Sequence, residues 1–296
     1  MGNTKLTWAV SALLLQAVTT AQIMPFLTGG TAAGLGQFPA HVGINISPTV
    51  FCGGTILNNN HILTSGSCVL DSGNNLTAAS QLNVRSGVVT IDASTPAVLV
   101  DRIFVHPHYN PFTFENDIAI VRTTTPFTFP ATAEPNVAAA ELNGRIAAEY
   151  SGCTVTGWNW QTGVATMALQ WMAVTVAPRA ECNNMFNGMV QQSMICARGA
   201  TNNNAMCLAN RGGGLYCDGR LTGIASFGFG CGQNASTTVF TQVRYFESWI
   251  QQQFTRTDIP PAGVTPMPGI TGGAYSMFNL SMAAILFATL IITILR

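Results

Sequence analysis

The chain has 296 residues, 48% of them apolar and 8% charged, with 12 basic residues against 12 acidic ones. That length holds one large domain plus terminal segments, and an apolar content this high without charge runs excludes an extended disordered chain. From Gln22 to Ala274 there are 10 Arg and no Lys against 12 Asp and Glu, a net charge of −2, so no basic stretch points to nucleic acid as a partner.

Met1–Ala21 reads as a signal peptide, residues 1–21. Lys5 supplies its positive start, Leu6–Val18 its apolar centre and Thr19-Thr20-Ala21 its small cleavage residues. A short remnant pro-segment, 22–26, follows. His41-Val42-Gly43-Ile44, Thr55-Ile56-Leu57, Val98–Val105, Ile118–Val121 and Leu169–Val176 are short, β-rich and separated by Gly, Pro and Asn turns. They predict an all-β barrel or sandwich. Phe240–Phe254 predicts a closing strand and then a helix, with Phe246, Trp249, Ile250 and Phe254 at helical spacing.

The segment 255–275 contains Pro260, Pro261, Pro266 and Pro268 and reads as an extended stalk. The segment 276–296 is an apolar tail. Small residues at Gly272-Gly273-Ala274 ahead of it fit a GPI-attachment signal, with Gly272 as the lipid-anchor candidate. A single membrane span is the alternative. Either one places the protein outside the cell, on a membrane surface. Asn45, Asn75 and Asn234 begin N-glycosylation sequons. Eight cysteines in an exported chain predict disulfides. No C-x-x-C pair is present, so neither a metal nor another cofactor is expected.

Seven further stretches carry more specific information. They are Leu27-Thr28-Gly29-Gly30 followed by Gly36-Gln37-Phe38-Pro39, Phe51-Cys52-Gly53-Gly54, Ile62-Leu63-Thr64-Ser65-Gly66-Ser67-Cys68, Asn116-Asp117-Ile118-Ala119-Ile120, Cys153-Thr154-Val155-Thr156-Gly157-Trp158, Cys207-Leu208-Ala209-Asn210-Arg211-Gly212-Gly213-Gly214-Leu215 and the helix ending at Phe254. Together they resemble the trypsin/chymotrypsin-like serine proteases over about Leu27–Phe254. The resemblance implies an all-β domain, 27–254, of two six-stranded antiparallel barrels with a C-terminal helix. It also implies the pairings Cys52–Cys68, Cys153–Cys217, Cys182–Cys196 and Cys207–Cys231, which use every cysteine.

The same resemblance implies a degenerate triad. Ser67 stands where the family has its general base, and Arg211 where it has its nucleophilic serine. Only Asp117 survives. Serine cannot take a proton from a nucleophile near neutral pH. Asn210 replaces the aspartate that receives the new amino terminus after activation, and Phe26-Leu27 lacks the basic residue for that cut. The two losses fit each other, because a buried aspartate without its cation is costly whereas an amide needs only hydrogen bonds. His41, His61, His106 and His108 fall at positions where the resemblance expects structural or solvent-facing side chains. In the implied substrate cleft, Ala205 removes the anion that selects Arg or Lys and Thr238 narrows the wall. Ser226-Phe227-Gly228 forms the edge along which a peptide could pair. Arg211 is long enough to fill the space beside Asp117 and pair with it, or to turn to solvent.

These readings lead to a catalytically inactive homologue on the cell surface that binds a protein or peptide as decoy, cofactor or scaffold. A serine-type endopeptidase with rearranged catalysis, using Ser67, is one alternative. An azurocidin-like antimicrobial or binding protein is another, and the low positive charge argues against it.

Overall fold

The computed structural model describes residues 27–28, 30–47, 50–131, 136–158, 167–200, 205–206, 211–228 and 237–256. Two short strands come first, β1 (Leu27–Thr28) and β2 (Thr31–Ala32). They are followed by β3 (His41–Ser47), β4 (Val50–Ile56), β5 (His61–Thr64), β6 (Asn83–Arg85), β7 (Thr90–Ile91), β8 (Val98–Val105) and β9 (Ala119–Thr123). Strands β3-β4-β5-β9-β8-β6 close into an antiparallel barrel. Alternation decides what faces inward: Val42 and Ile44 of β3, Ile62 of β5, Ile103 of β8 and Val121 of β9 fill the interior.

The second half holds β10 (Gly152–Trp158), β11 (Met167–Val176), helix α1 (Arg179–Met185), β12 (Met194–Gly199), β13 (Ala205–Met206), β14 (Gly214–Cys217), β15 (Arg220–Gly228), β16 (Thr238–Gln242) and helix α2 (Glu247–Phe254). Strands β10-β14-β15-β16-β12-β11 form a second antiparallel ring, closed by the β10–β11 pairing. Val155, Met172, Val174, Ile195, Leu215 and Phe240 pack inside it. The fold is therefore two six-stranded barrels with a short C-terminal helix, as the motifs predict.

A third apolar layer joins the barrels. Leu63, Phe104, Ile118 and Ile120 from the first meet Leu221 and Ile224 from the second, and Val243, Phe246 and Ile250 of the closing segment cover them. This explains why β5 reads as a continuous apolar run. It is buried on both faces, with Ile62 in the first barrel and Leu63 in the seam.

Three disulfides match the implied pairing: Cys52–Cys68, Cys153–Cys217 and Cys182–Cys196. Cys207 and Cys231 lie outside the described residues, as do the segments 1–26 and 257–296. Three bridges in one two-barrel domain belong to an oxidising, extracellular environment. Among the described residues, no helix is long and apolar enough to cross a membrane.

Candidate functional site

The seam brings three distant loops together. The first is a single 3-10 turn, Gly66–Cys68, held against β4 by the Cys52–Cys68 bridge. It presents Ser67. The second leads into β9 through Phe114 and Asn116, both with positive φ, and buries Asp117 completely. The third is the Arg211–Gly213 turn.

Asp117 is held from two sides. The Ser67 backbone N–H donates to Oδ1 at 2.7 Å, and the Ser67 hydroxyl donates to Oδ2 at 3.0 Å. The Ser226 hydroxyl donates to the same Oδ2 at 2.5 Å. The Asp117 backbone carbonyl accepts from the Thr241 hydroxyl at 2.8 Å. Burial pushes the carboxyl above the usual carboxylate range. The Ser226 hydroxyl, the two Ser67 donors and the charge of Arg211 all oppose that rise. Tyr109 sits nearby, its phenol driven far up by burial and by the charge of Asp117.

The chain contains four histidines, and none hydrogen-bonds Asp117 or Ser67. His41 is fully enclosed, stacked on Trp158 at 4.8 Å, with both ring nitrogens unpaired. Burial lowers its pKa to about 3. His61 Nδ1 lies 2.9 Å from Asn58 Oδ1, and its ring leans on Phe254. His106 packs against Phe246 and Trp249 of the closing segment, and burial lowers it to about 4. Only His108, beside it, is exposed.

Arg211 makes no ion pair with Asp117. Its guanidinium lies over the Phe114 ring, 5.6 Å from the centroid. The space beside the carboxylate is served instead by Ser67 and Ser226, which hydrogen-bond it at short range without a second buried charge. Neither outcome anticipated for Arg211 is what occurs: the side chain is half-buried on an aromatic face. Phe114 in turn stacks on Phe227 at 5.2 Å, and Phe186 meets Phe227 edge-on at 5.4 Å.

The backbone of the third turn bridges the barrels. Gly53 N–H donates to Arg211 O, Gly212 N–H donates to Ala225 O, and Ala225 N–H donates to Gly213 O, each at 2.8 Å. Gly212 has φ of +79°, and a Cβ there would collide with Thr64 Oγ1 and Gly53 O. Gly212 is thus required by its backbone conformation and by close backbone approach.

Of the expected cleft residues, Ser226 turns inward to Asp117 and Phe227 is 7% exposed. Gly228 pairs in register with Thr238, whose buried hydroxyl has no partner. Ala205 pairs with Thr28. Asn45 is half-buried inside β3, whereas Asn75 is exposed in a turn capped by Asp71. Asn210, Asn234 and Gly272 lie outside the described residues. Sequence reasoning missed Ser226 as a partner of Asp117, along with the ring cluster of Phe114 and Phe186. No local motif signals either, because both depend on contacts between barrels.

Two β-barrels with an interfacial aspartate and a glycine turn stitched across the seam define a trypsin-like serine protease fold. The trypsin family model matches residues 27–250, and the chain belongs to that family. Trypsin of Sus scrofa is 28% identical over 232 residues, covering 76% of this chain and 94% of its own. Trypsin-1 of Gadus morhua is 29% identical over 206 residues, covering 68% and 80%. Trypsin of Xenopus laevis is 25% identical over 248 residues, covering 82% and 96%.

Proposed function

We propose that this chain is a catalytically silent member of the trypsin family, displayed on the cell surface, that acts by binding a protein or peptide. The observation that carries this reading is the environment of Asp117. Its carboxylate is satisfied by serine hydroxyls and a backbone N–H, and no imidazole touches it. Acyl transfer in this family needs a base beside the nucleophile. Here the position of the base is Ser67, and the position of the nucleophile is Arg211, stacked on Phe114. Loss of either member removes most of the triad's rate enhancement, which is on the order of a millionfold. The cleft residues Ser226 to Gly228 remain ordered along β15 and serve as the peptide-binding edge. The Gly272 region and the 276–296 tail supply the anchor.

The test is a fluorogenic peptide library assayed with the purified protein. No turnover is expected. Turnover that Ser67→Ala abolishes establishes the rearranged endopeptidase instead, the reading favoured by the 3.0 Å Ser67–Asp117 contact. Phosphatidylinositol-specific phospholipase releases the protein from cells if the anchor is GPI and leaves it bound if the tail spans the membrane.

A further inference from the structure

At the end of β9 away from Asp117, the strand register assembles a row of basic side chains that the chain order hides. Arg122 of β9 lies directly opposite His61 of β5 on one side and Arg102 of β8 on the other. The neighbouring row, Ile62, Val121 and Ile103, faces the barrel interior, so alternation puts His61, Arg122 and Arg102 on the outer face. The C-terminal end of α2 arrives at the same place. Phe254 covers the His61 ring, the Arg256 guanidinium lies 5.2 Å from the Phe104 centroid, and Arg256 O accepts from Arg122 Nη1 at 3.4 Å.

Like charges directly opposite on adjacent strands repel. One carboxylate relieves half of this conflict. Asp101 takes Arg122 through two parallel bonds, to Nε and Nη2. Arg102 receives nothing: its guanidinium makes no hydrogen bond, and its Nη1 is buried without a partner. His61 is 6% exposed, and its Nε2 is likewise buried and unpartnered. Among the described residues, Asp101 is the only carboxylate paired with any member of the row. A buried, unpaired guanidinium atom beside a second arginine is an expensive arrangement for an unliganded surface.

We propose that Arg102, beside Arg122, forms a binding site for a tetrahedral oxyanion of the sulfate or phosphate class. The planar fork of arginine matches the oxygen spacing of such a group, and Arg102, unlike Arg122, has no acceptor of its own. The group could be a free ion or a sulfate ester on a glycan, since the recognising chemistry is the same. The site is separate from the Asp117 cleft and does not depend on the binding role proposed for that cleft.

The experiment is thermal unfolding of the full chain, titrated with sodium sulfate and separately with sodium phosphate at constant ionic strength. Arg102→Gln is compared with Arg145→Gln, an exposed arginine outside the row. The native protein and the Arg145 variant should show a saturable rise in Tm of roughly 3 °C or more. Arg102→Gln should show only the shallow, unsaturated rise that sulfate gives any protein. Without added anion, Arg102→Gln should melt no lower than the native chain, because the charge conflict is gone. A saturable response in Arg102→Gln equal to the native one, or none in the native chain, overturns the proposal. A second readout needs no variant: in the native chain labelled with 15N-arginine, sulfate should shift an Arg Nε–H signal saturably, and its failure to shift any counts against the site. A heparin tetrasaccharide that protects at 100-fold lower concentration than inorganic sulfate identifies a sulfated glycan as the source. Equal potency per sulfate group identifies the free ion.

Discussion

Ser67 and Asp117 are joined twice, through the Ser67 N–H to Oδ1 at 2.7 Å and the Ser67 hydroxyl to Oδ2 at 3.0 Å. The second oxygen also accepts from Ser226. A carboxylate buried this deeply is tolerable only because three donors replace its water. Ser67→Ala and Ser226→Ala should each lower stability by about 1.5–3 kcal/mol at pH 7, the usual cost of removing a hydrogen bond to a charged group. The double variant should cost less than the sum. Both hydroxyls serve Oδ2 and both oppose the rise that burial causes, so losing both favours the neutral carboxyl, which needs less solvation. Urea unfolding of the four species checks this, and strict additivity would rule out a shared network.

Acid stability should be governed in part by His41. Its folded pKa is about 3 against an ordinary 6.5. Below 6.5 the unfolded chain takes up a proton that the folded chain refuses, so stability is complete above that value and falls as pH drops towards 3. Linkage puts the loss at roughly 2 kcal/mol by pH 5. Asp117 works in the opposite direction, because its raised pKa lets the folded state accept a proton first as pH falls. His41→Phe keeps a ring against Trp158 and removes the titration. Its unfolding free energy should therefore vary less between pH 8 and pH 5, by about that same 2 kcal/mol. Parallel pH profiles for the two proteins would count against this account.

The Gly212 turn predicts an intolerant position. An alanine there combines a positive φ with a collision against Thr64 Oγ1 and the Gly53 carbonyl. The first cost is about 1 kcal/mol and the overpacking cost is roughly 1–3 kcal/mol more. Gly212→Ala should lower Tm by several degrees or prevent secretion, whereas Gly219→Ala, also at positive φ but with open space around its Cβ, should carry only the backbone cost. Differential scanning calorimetry of the two variants separates them.

Glycosylation should divide the two described sequons. Asn75 is exposed in a turn. Asn45 is half-buried in β3, paired with Phe51 of β4 on one side and Asn83 of β6 on the other. In secreted material, Asn75→Gln should remove one glycan, seen as a gel shift that matches partial enzymatic deglycosylation. Asn45→Gln should leave the pattern unchanged.

Much of this molecule is legible in one dimension. Val98–Val105 is a strand with the predicted boundaries, and α2 carries Trp249, Ile250 and Phe254 on the spacing read for it. The described disulfides follow the implied pairing, and Ser67, Asp117 and Arg211 do gather at one seam. Periodicity and motif spacing are local properties, so the chain by itself determines them. The residues that hold Asp117, the aromatic face that takes Arg211 and the row of His61, Arg122 and Arg102 are not local. They arise where two barrels meet or where strand register sets one side chain opposite another, and register is fixed only when a whole sheet closes around its core. The sequence therefore determined which residue types stand at 67, 117 and 211. Tertiary packing alone decided that a second serine, from the other barrel, joins Ser67 in holding Asp117.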